Sequence, residues 1–384
     1  MDFTFAEEHE MLRDMTRDFV NNEVKPLARQ IDEEERIPED LMAKMREQGF
    51  FGIPFAEEYG GVGAGEIGYC VVLDEMGRGS ASVAVLLAAH TSIGVMALYL
   101  DGTEEQKGKY LPALCSGEKI AAFALTEPGA GSDAAAIATT AVPDGDDYVI
   151  NGSKIYITNG DIADVISVFA VTDKSLGVRG GVTAFIVESD MPGFSRGPRE
   201  KKMGIRGSGT CELFFKDMRV PKENVIGKVG MGFLTAMKTL DVGRLSLGAA
   251  CVGAGKELID LSIQHASQRV QFGEPIIRKQ AIQWMLAEMA AETFAMESMV
   301  YRGAWMCDQG LKVSRESAIV KMFCSEALDR IVDKAVQIHG GIGYMQEYPI
   351  EMYYRDARIN RIFEGTNEVQ RMVVAGDLTR KGRY

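Results

Sequence analysis

The feature that most constrains this 384-residue chain is where its strand-forming residues lie. Short runs rich in β-branched and aromatic residues, YVINGSKIYITNG, VISVFAVT, VTAFIVES and CELFFKDMRV, fall between about residues 119 and 220. Before them, to about residue 120, the pattern is helical. Thr4 and Glu7 form a capping-box pair, Phe5, Leu12, Met15 and Phe19 share one helical face, and DGTEEQKGKYLP starts a further helix after Thr103. Beyond Gly230, periodic stretches run over residues 233–268 and 276–309, with Met285, Met289, Met296 and Met299 at the spacing of an adaptable core stripe. Helices, strands and helices in separate blocks specify an α+β chain rather than alternating units on a parallel sheet. The expected divisions are residues 1–120, 121–228 and 229–384. Asn151-Gly152 lies between two strand runs and predicts a type I′ hairpin turn.

Composition removes several function classes. A net charge of -13 and a pI near 5.0 oppose binding to nucleic acid or to an anionic membrane surface. No apolar run reaches the roughly 18 residues that would span a bilayer. The opening MDFTFAEEHE lacks the basic and apolar blocks of a signal peptide, so a cytoplasmic location is expected. Six cysteines lie far apart without a CxxC pair and read as buried thiols, and four scattered histidines without HExxH spacing give no metal site. Residues 129–134, GAGSDA, imitate a dinucleotide fingerprint but lead into a loop and a hairpin, with no βαβ unit. VGAGK at residues 252–256 resembles the tail of a phosphate-binding loop, yet Ala250 and Glu257 occupy positions that need Gly and Ser or Thr.

Six further segments stand in a fixed order: FALTEPGAGSD (123–133), GSKIYITNG (152–160), LDVGR (240–244), RVQFGEPI (269–276), QIHGGIGY (337–344) and IFEGTNEVQR (362–371). Together they resemble the acyl-CoA dehydrogenase family across nearly the whole chain. The resemblance implies a helical N-terminal domain, a middle β-barrel and a C-terminal four-helix bundle, in agreement with the segmentation above. It also implies FAD. Desaturating an acyl-CoA requires a base for the weakly acidic α-proton and a hydride acceptor facing the β-carbon, which has no acidic hydrogen. Glu364, in FEGT, matches the catalytic Glu of short- and medium-chain members. Burial against flavin and acyl chain would raise its pKa toward the working pH. By itself E-G-T-N is also helix-capping sequence.

The matching positions carry further implied roles. Leu125, Thr126, Gly131 and Ser132 would lie beside the isoalloxazine, with Ser132 also near the CoA ester. Tyr156 and Thr158 would meet the flavin from the next strand, and Tyr156 stands where the family commonly has Trp. Arg269, Phe272, Gln280, Gln337 and Gly341 would reach FAD from a neighbouring subunit, which implies a homotetramer, while Thr366 and Glu368 would approach from the Glu364 loop. Asp241 and Arg244 match a substrate-contacting pair, or form an i,i+3 salt bridge. Gly365 would allow close substrate approach. Residues 88–98 would set pocket depth, with Thr91 or His90 meeting the acyl end. The implied reaction is α,β-dehydrogenation of a short, branched or alicyclic acyl-CoA, with electrons passed to electron-transferring flavoprotein. An acyl-CoA oxidase, a glutaryl-CoA-type dehydrogenase and a non-enzymatic CoA-binding scaffold are the alternatives.

Overall fold

The computed structural model describes residues 4–382. Its N-terminal part carries α1 (Glu7–Phe19), α2 (Ala28–Glu34), α3 (Glu39–Glu47), α4 (Gly65–Gly79), α5 (Ala81–Ala88), α6 (Met96–Asp101) and α7 (Glu104–Cys115). Leu12, Met15 and Phe19 pack into the core as their spacing predicts. The Thr4–Glu7 capping box does not open α1. That helix starts after Ala6 without a side-chain cap, and Glu7, Glu8 and Glu10 offset its N-terminal dipole instead. At Thr103 the expected start is present as a capping box with Gln106.

α5 and α6 are joined through a wide π-helical turn, Ala89–Val95, into one helical segment. This segment, Ala81–Asp101, has a mean hydropathy of 1.9 and is long and apolar enough to cross a bilayer, contrary to the sequence reading. Its most apolar stretch is 78% buried within the fold, so its apolarity serves packing.

The strands follow: β1 (Ala121–Ala124), β2 (Thr140–Asp144), β3 (Asp147–Thr158), β4 (Val165–Val171), β5 (Val182–Glu188), β6 (Phe194–Arg199), β7 (Thr210–Pro221) and β8 (Val225–Ile226), with the single-turn α8 (Val178–Gly181) before β5. They pair in the order β6-β7-β3-β2-β4-β5-β8, and β1 lies parallel to β4. Ile150, Ile166, Val168, Phe185, Leu213 and Phe215 fill the interior. The hairpin turn stands at Gly145, φ 62°, between β2 and β3, and not at Asn151-Gly152. Asn151-Gly152 instead marks a register shift against β7, where Asn151 Oδ1 accepts from the Asp217 N–H at 2.8 Å.

The C-terminal part is built from α9 (Gly232–Gln268), a small hairpin of β9 (Val270–Gln271) and β10 (Glu274–Pro275), α10 (Gln280–Asp308), α11 (Ser314–His339), α12 (Ile350–Ala357) and α13 (Asn367–Lys381). Met289 and Met296 are fully buried in the helical core, and Met285 and Met299 pack against it. α9 also binds the N-terminal helices. A Cβ on Gly253 would stand 1.7 Å from the Asp74 carbonyl of α4, and one on Gly77 2.3 Å from the Ala250 carbonyl. Two backbones this close admit only glycine, and the contact fixes α9 where its first half faces the α11–α13 region.

Candidate active site

Two constellations emerge. The first joins the loop after β1 to β3. The Ile155 N–H donates to the Thr126 carbonyl at 2.9 Å, and the Lys154 ammonium donates to the Leu125 carbonyl at 3.0 Å and to Glu127 at 2.7 Å. Glu127 also accepts from the Ala138 and Thr139 N–H groups at 2.6 and 3.0 Å. A register shift between Lys154 and Ile157 then turns Tyr156 outward at φ 58°, leaving its ring 65% exposed. Leu125 is buried, Thr126 and Thr158 are half-buried, and Gly131 and Ser132 are exposed. The loop, the bulge and their hydroxyls therefore form one rigid surface.

The second constellation surrounds Glu364, which lies between α12 and α13 in the left-handed region at φ 55°. A non-glycine residue there is strained by about 1–3 kcal/mol, so neighbours must hold it. The Glu364 carbonyl accepts from Arg244 Nε at 3.2 Å and Gln370 Nε2 at 3.3 Å. The Gly365 carbonyl accepts from Lys321 Nζ at 2.8 Å and Gln370 Nε2 at 3.0 Å. Gly365, at φ 88°, is needed here because a Cβ would meet Gln370 Nε2 at 2.7 Å. Thr366 caps α13 by accepting from the Val369 N–H, so capping falls to Thr366 and not to Glu364.

The carboxylate is treated differently from the backbone. Glu364 Oε2 is buried and has no hydrogen-bond partner. Burial pushes its pKa up to about 7, against the opposing pull of Arg244 and Lys321. A point at Cβ distance from Gly243 lies 3.2 Å from Oε2, 2.9 Å from Ile93 Cγ2 and 3.6 Å from Ser92 Oγ. The wide turn of the α5–α6 segment thus brings Ile93 and Ser92 to the same position on α9, at Gly243, that the Glu364 carboxylate approaches. His90 and Thr91, expected at the acyl end, point elsewhere. His90 Nε2 bonds the Leu114 carbonyl at 3.0 Å while Nδ1 accepts from the Ala121 N–H at 2.9 Å, and Thr91 donates to the Phe51 carbonyl. Burial lowers the His90 pKa to about 4, so it is a neutral clamp between α7 and β1.

Arg244 pairs with Asp241 at 2.9 Å, the i,i+3 geometry, and Ser314 donates to the other Asp241 oxygen. Glu368 is exposed in the first turn of α13. Arg269, Phe272, Gln280, Gln337 and Gly341 are all exposed, and Phe272 stands 95% exposed at the β9–β10 turn.

Models of the acyl-CoA dehydrogenase N-terminal, middle and C-terminal domains match residues 6–118, 122–218 and 230–379. The chain belongs to the acyl-CoA dehydrogenase family. It is accordingly an FAD-dependent oxidoreductase acting on the CH–CH group of an acyl-CoA. It is 45% identical to the short-chain-specific acyl-CoA dehydrogenase of Clostridium acetobutylicum, over 99% of this chain and 100% of that protein. With a subunit of the caffeyl-CoA reductase-Etf complex of Acetobacterium woodii it shares 42% identity, over 98% and 100% of the two chains. The structure of butyryl-CoA dehydrogenase from Megasphaera elsdenii superposes with a TM-score of 0.97 at 40% identity, covering 99% of this chain and 100% of that one.

The residues present fit FAD. Tyr156 offers an exposed ring beside the Thr126 loop, and no atom lies within 4 Å of where a Cβ would stand on Gly129 or Gly131, so both glycines leave open room along that loop. Among the residues that sequence reasoning passed over, Lys154 and Glu127 anchor this loop, while Lys321 and Gln370 anchor the dehydrogenase's Glu364 turn. A signal existed for each lysine. Lys154 shares even register with buried Tyr148 and Ile150, and Lys321 falls among Ala318, Val320 and Cys324 on the buried side of α11.

Proposed function

We propose that this dehydrogenase desaturates a short acyl-CoA, with Glu364 removing the α-proton as the β-hydrogen departs as hydride to give the enoyl-CoA. The observation that carries this reading is the Glu364 carboxylate. Its Oε2 is buried and lacks a partner and its pKa is pushed up to about 7, while Arg244 Nε and Lys321 Nζ donate to backbone carbonyls of the turn and not to this oxygen. A general base works best with its pKa near the operating pH and its lone pairs free. Bound FAD supplies the hydride acceptor. Leu125, Thr126, Gly131, Ser132, Tyr156 and Thr158 are assigned to it from this subunit, together with Thr366 and Glu368. Ser132, Asp241, Arg244 and Gly365 are assigned to the substrate. Ile93 crowds the same Gly243 position as the carboxylate, and the short-chain relative at 45% identity supports a short substrate over a long, branched or alicyclic one.

Arg269, Phe272, Gln280, Gln337 and Gly341 are assigned to the FAD of a neighbouring subunit in a homotetramer. The supporting feature is exposed aromatic surface: Phe272, with Trp284 and Phe294 of α10 at 60% and 72% exposure, calls for cover by another chain. Three domains, with bounds at residues 120 and 228, accompany this reading. Electron-transferring flavoprotein is the proposed acceptor, on the strength of the Acetobacterium relative. The free cysteine thiols suit a reducing, cytoplasmic setting. That same relative favours a second reading, reduction of an enoyl-CoA, in which Glu364 returns the proton to the α-carbon.

The test is anaerobic titration of the flavinated protein with butyryl-CoA and with branched and cyclic acyl-CoAs, followed by flavin absorbance. Butyryl-CoA is expected to bleach the flavin most completely. Bleaching only by a branched or cyclic thioester would overturn the short-chain assignment, and bleaching by none would overturn the dehydrogenation reading.

A further inference from the structure

Lys321 is fully buried on α11, and its role is not explained by an ion pair. Its ammonium donates to the Gly365 carbonyl at 2.8 Å and to Asn367 Oδ1 at 2.9 Å, two neutral acceptors flanking the strained turn. Burying an ammonium without a bonded carboxylate is unfavourable, and such a group is retained where its charge acts on something else. The group it acts on is Glu364. Burial pulls the lysine down to about 8, and the Glu364 charge pulls it back up, which marks the two as electrostatically coupled.

Of the other charged and titratable groups around the turn, Arg244 pulls the Glu364 pKa down more strongly than Lys321 does, and Lys321 adds a second positive charge from α11. Arg244, on α9, directs Nε to the Glu364 carbonyl and pairs with Asp241 on the same helix. Glu368, on α13, is exposed. Cys251, on α9, is a buried thiol with its pKa raised to about 12 by burial. From the α5–α6 segment come Ile93, which is apolar, and Ser92, whose hydroxyl donates to the Ala88 carbonyl at 2.6 Å.

We propose that Lys321 is a positioning residue for the Glu364 base: by gripping the backbone behind the carboxylate instead of the carboxylate itself, it fixes the left-handed turn and lends a positive charge without capping the oxygen that takes the proton. This rests on the assignment of Glu364 as the base. A direct Lys–Glu hydrogen bond would block that oxygen and depress its basicity. Removing the charge altogether would leave the carboxylate buried and more readily neutral.

The experiment compares wild type, Lys321→Met, Lys321→Arg and Glu364→Gln as flavinated proteins. Flavin bleaching by butyryl-CoA is followed against pH, and the protonated-carboxyl infrared band, assigned by its absence in Glu364→Gln, is titrated without substrate. In Lys321→Met the acid limb of the bleaching rate and the midpoint of the infrared band should both move upward by about one pH unit, with flavin content unchanged. Lys321→Arg should return both toward wild type. If Lys321→Met slows bleaching equally at every pH and leaves the infrared midpoint in place, the lysine only supports packing and the proposal is wrong. The infrared titration decides this even where the Arg variant fails to fold. Failure of the base assignment is a separate result: Glu364→Gln would then bleach as fast as wild type.

Discussion

Among the described residues two lysines are completely buried, and their partners differ in kind. Lys154 of β3 meets the Glu127 carboxylate at 2.7 Å and Leu125's carbonyl at 3.0 Å, closing its charge locally beneath the loop assigned to FAD. Lys321 of α11 bonds only neutral acceptors, beneath the turn that carries Glu364. Burial lowers both ammonium groups to about 8, so each remains charged at neutral pH. What differs is where the compensating negative charge sits. In the first region it is the bonded partner, which makes the pair a brace. In the second it is the carboxylate assigned to chemistry, left without a partner, which makes the lysine part of that carboxylate's electrostatics. Burial of a charge is thus a poor guide to function until its partner is named.

Breaking the brace should have the largest effect. Lys154→Met strands a buried Glu127 charge and is expected to lower unfolding free energy by about 3–5 kcal/mol in urea denaturation. Adding Glu127→Gln should recover only part of that loss: it removes the stranded charge, but the amide oxygen can accept from one of the Ala138 and Thr139 N–H groups and its NH2 faces the other. Lys321→Met should lose only about 1 kcal/mol, since Gln370 still serves the Gly365 carbonyl and Ser325 still serves Asn367. Equal losses at the two sites would erase the distinction between brace and charge source.

Glu364→Gln sharpens the contrast from the other side. The folded pKa of about 7 lies above the unfolded carboxylate value, so ionising Glu364 destabilises the fold. The penalty is absent below the unfolded pKa, grows as pH rises above it, and is complete above the folded one. The variant should therefore be more stable than wild type by about 3 kcal/mol at about pH 8 and no different at about pH 4. Thermal melts across that range check the sign. A variant that is less stable at high pH would show that Glu364 holds the fold together.

Much of this was legible in the residues. The helical, strand and helical blocks appear where residue periodicity and β-branched runs place them, because α9, α10 and β3 are long and locally consistent. Glu364, Asp241 and Arg244 stood in recognisable segments, and the structure brings them together. What escaped were features set by distant partners. Asn151-Gly152 has hairpin chemistry, yet β7 pairs across it and Gly145 makes the turn. His90 and Thr91 lie in the segment expected to set pocket depth, but the π-helical turn directs them to Leu114, Ala121 and Phe51 and leaves Ser92 and Ile93 at Gly243, which the Glu364 carboxylate also approaches. Lys321 is 43 residues from Glu364 in sequence (364 minus 321), so nothing local tied it to the turn it supports.

The most direct test of the central claim is the pH dependence of anaerobic flavin bleaching by butyryl-CoA in wild type and Glu364→Gln. The wild-type rate should rise through a midpoint near 7, where Glu364 loses its proton. In the variant that rise should vanish and the rate should fall by about 10²–10⁴-fold, the usual contribution of a general base, while FAD remains bound. A variant that keeps the wild-type rate and the same rise would show that another group takes the α-proton.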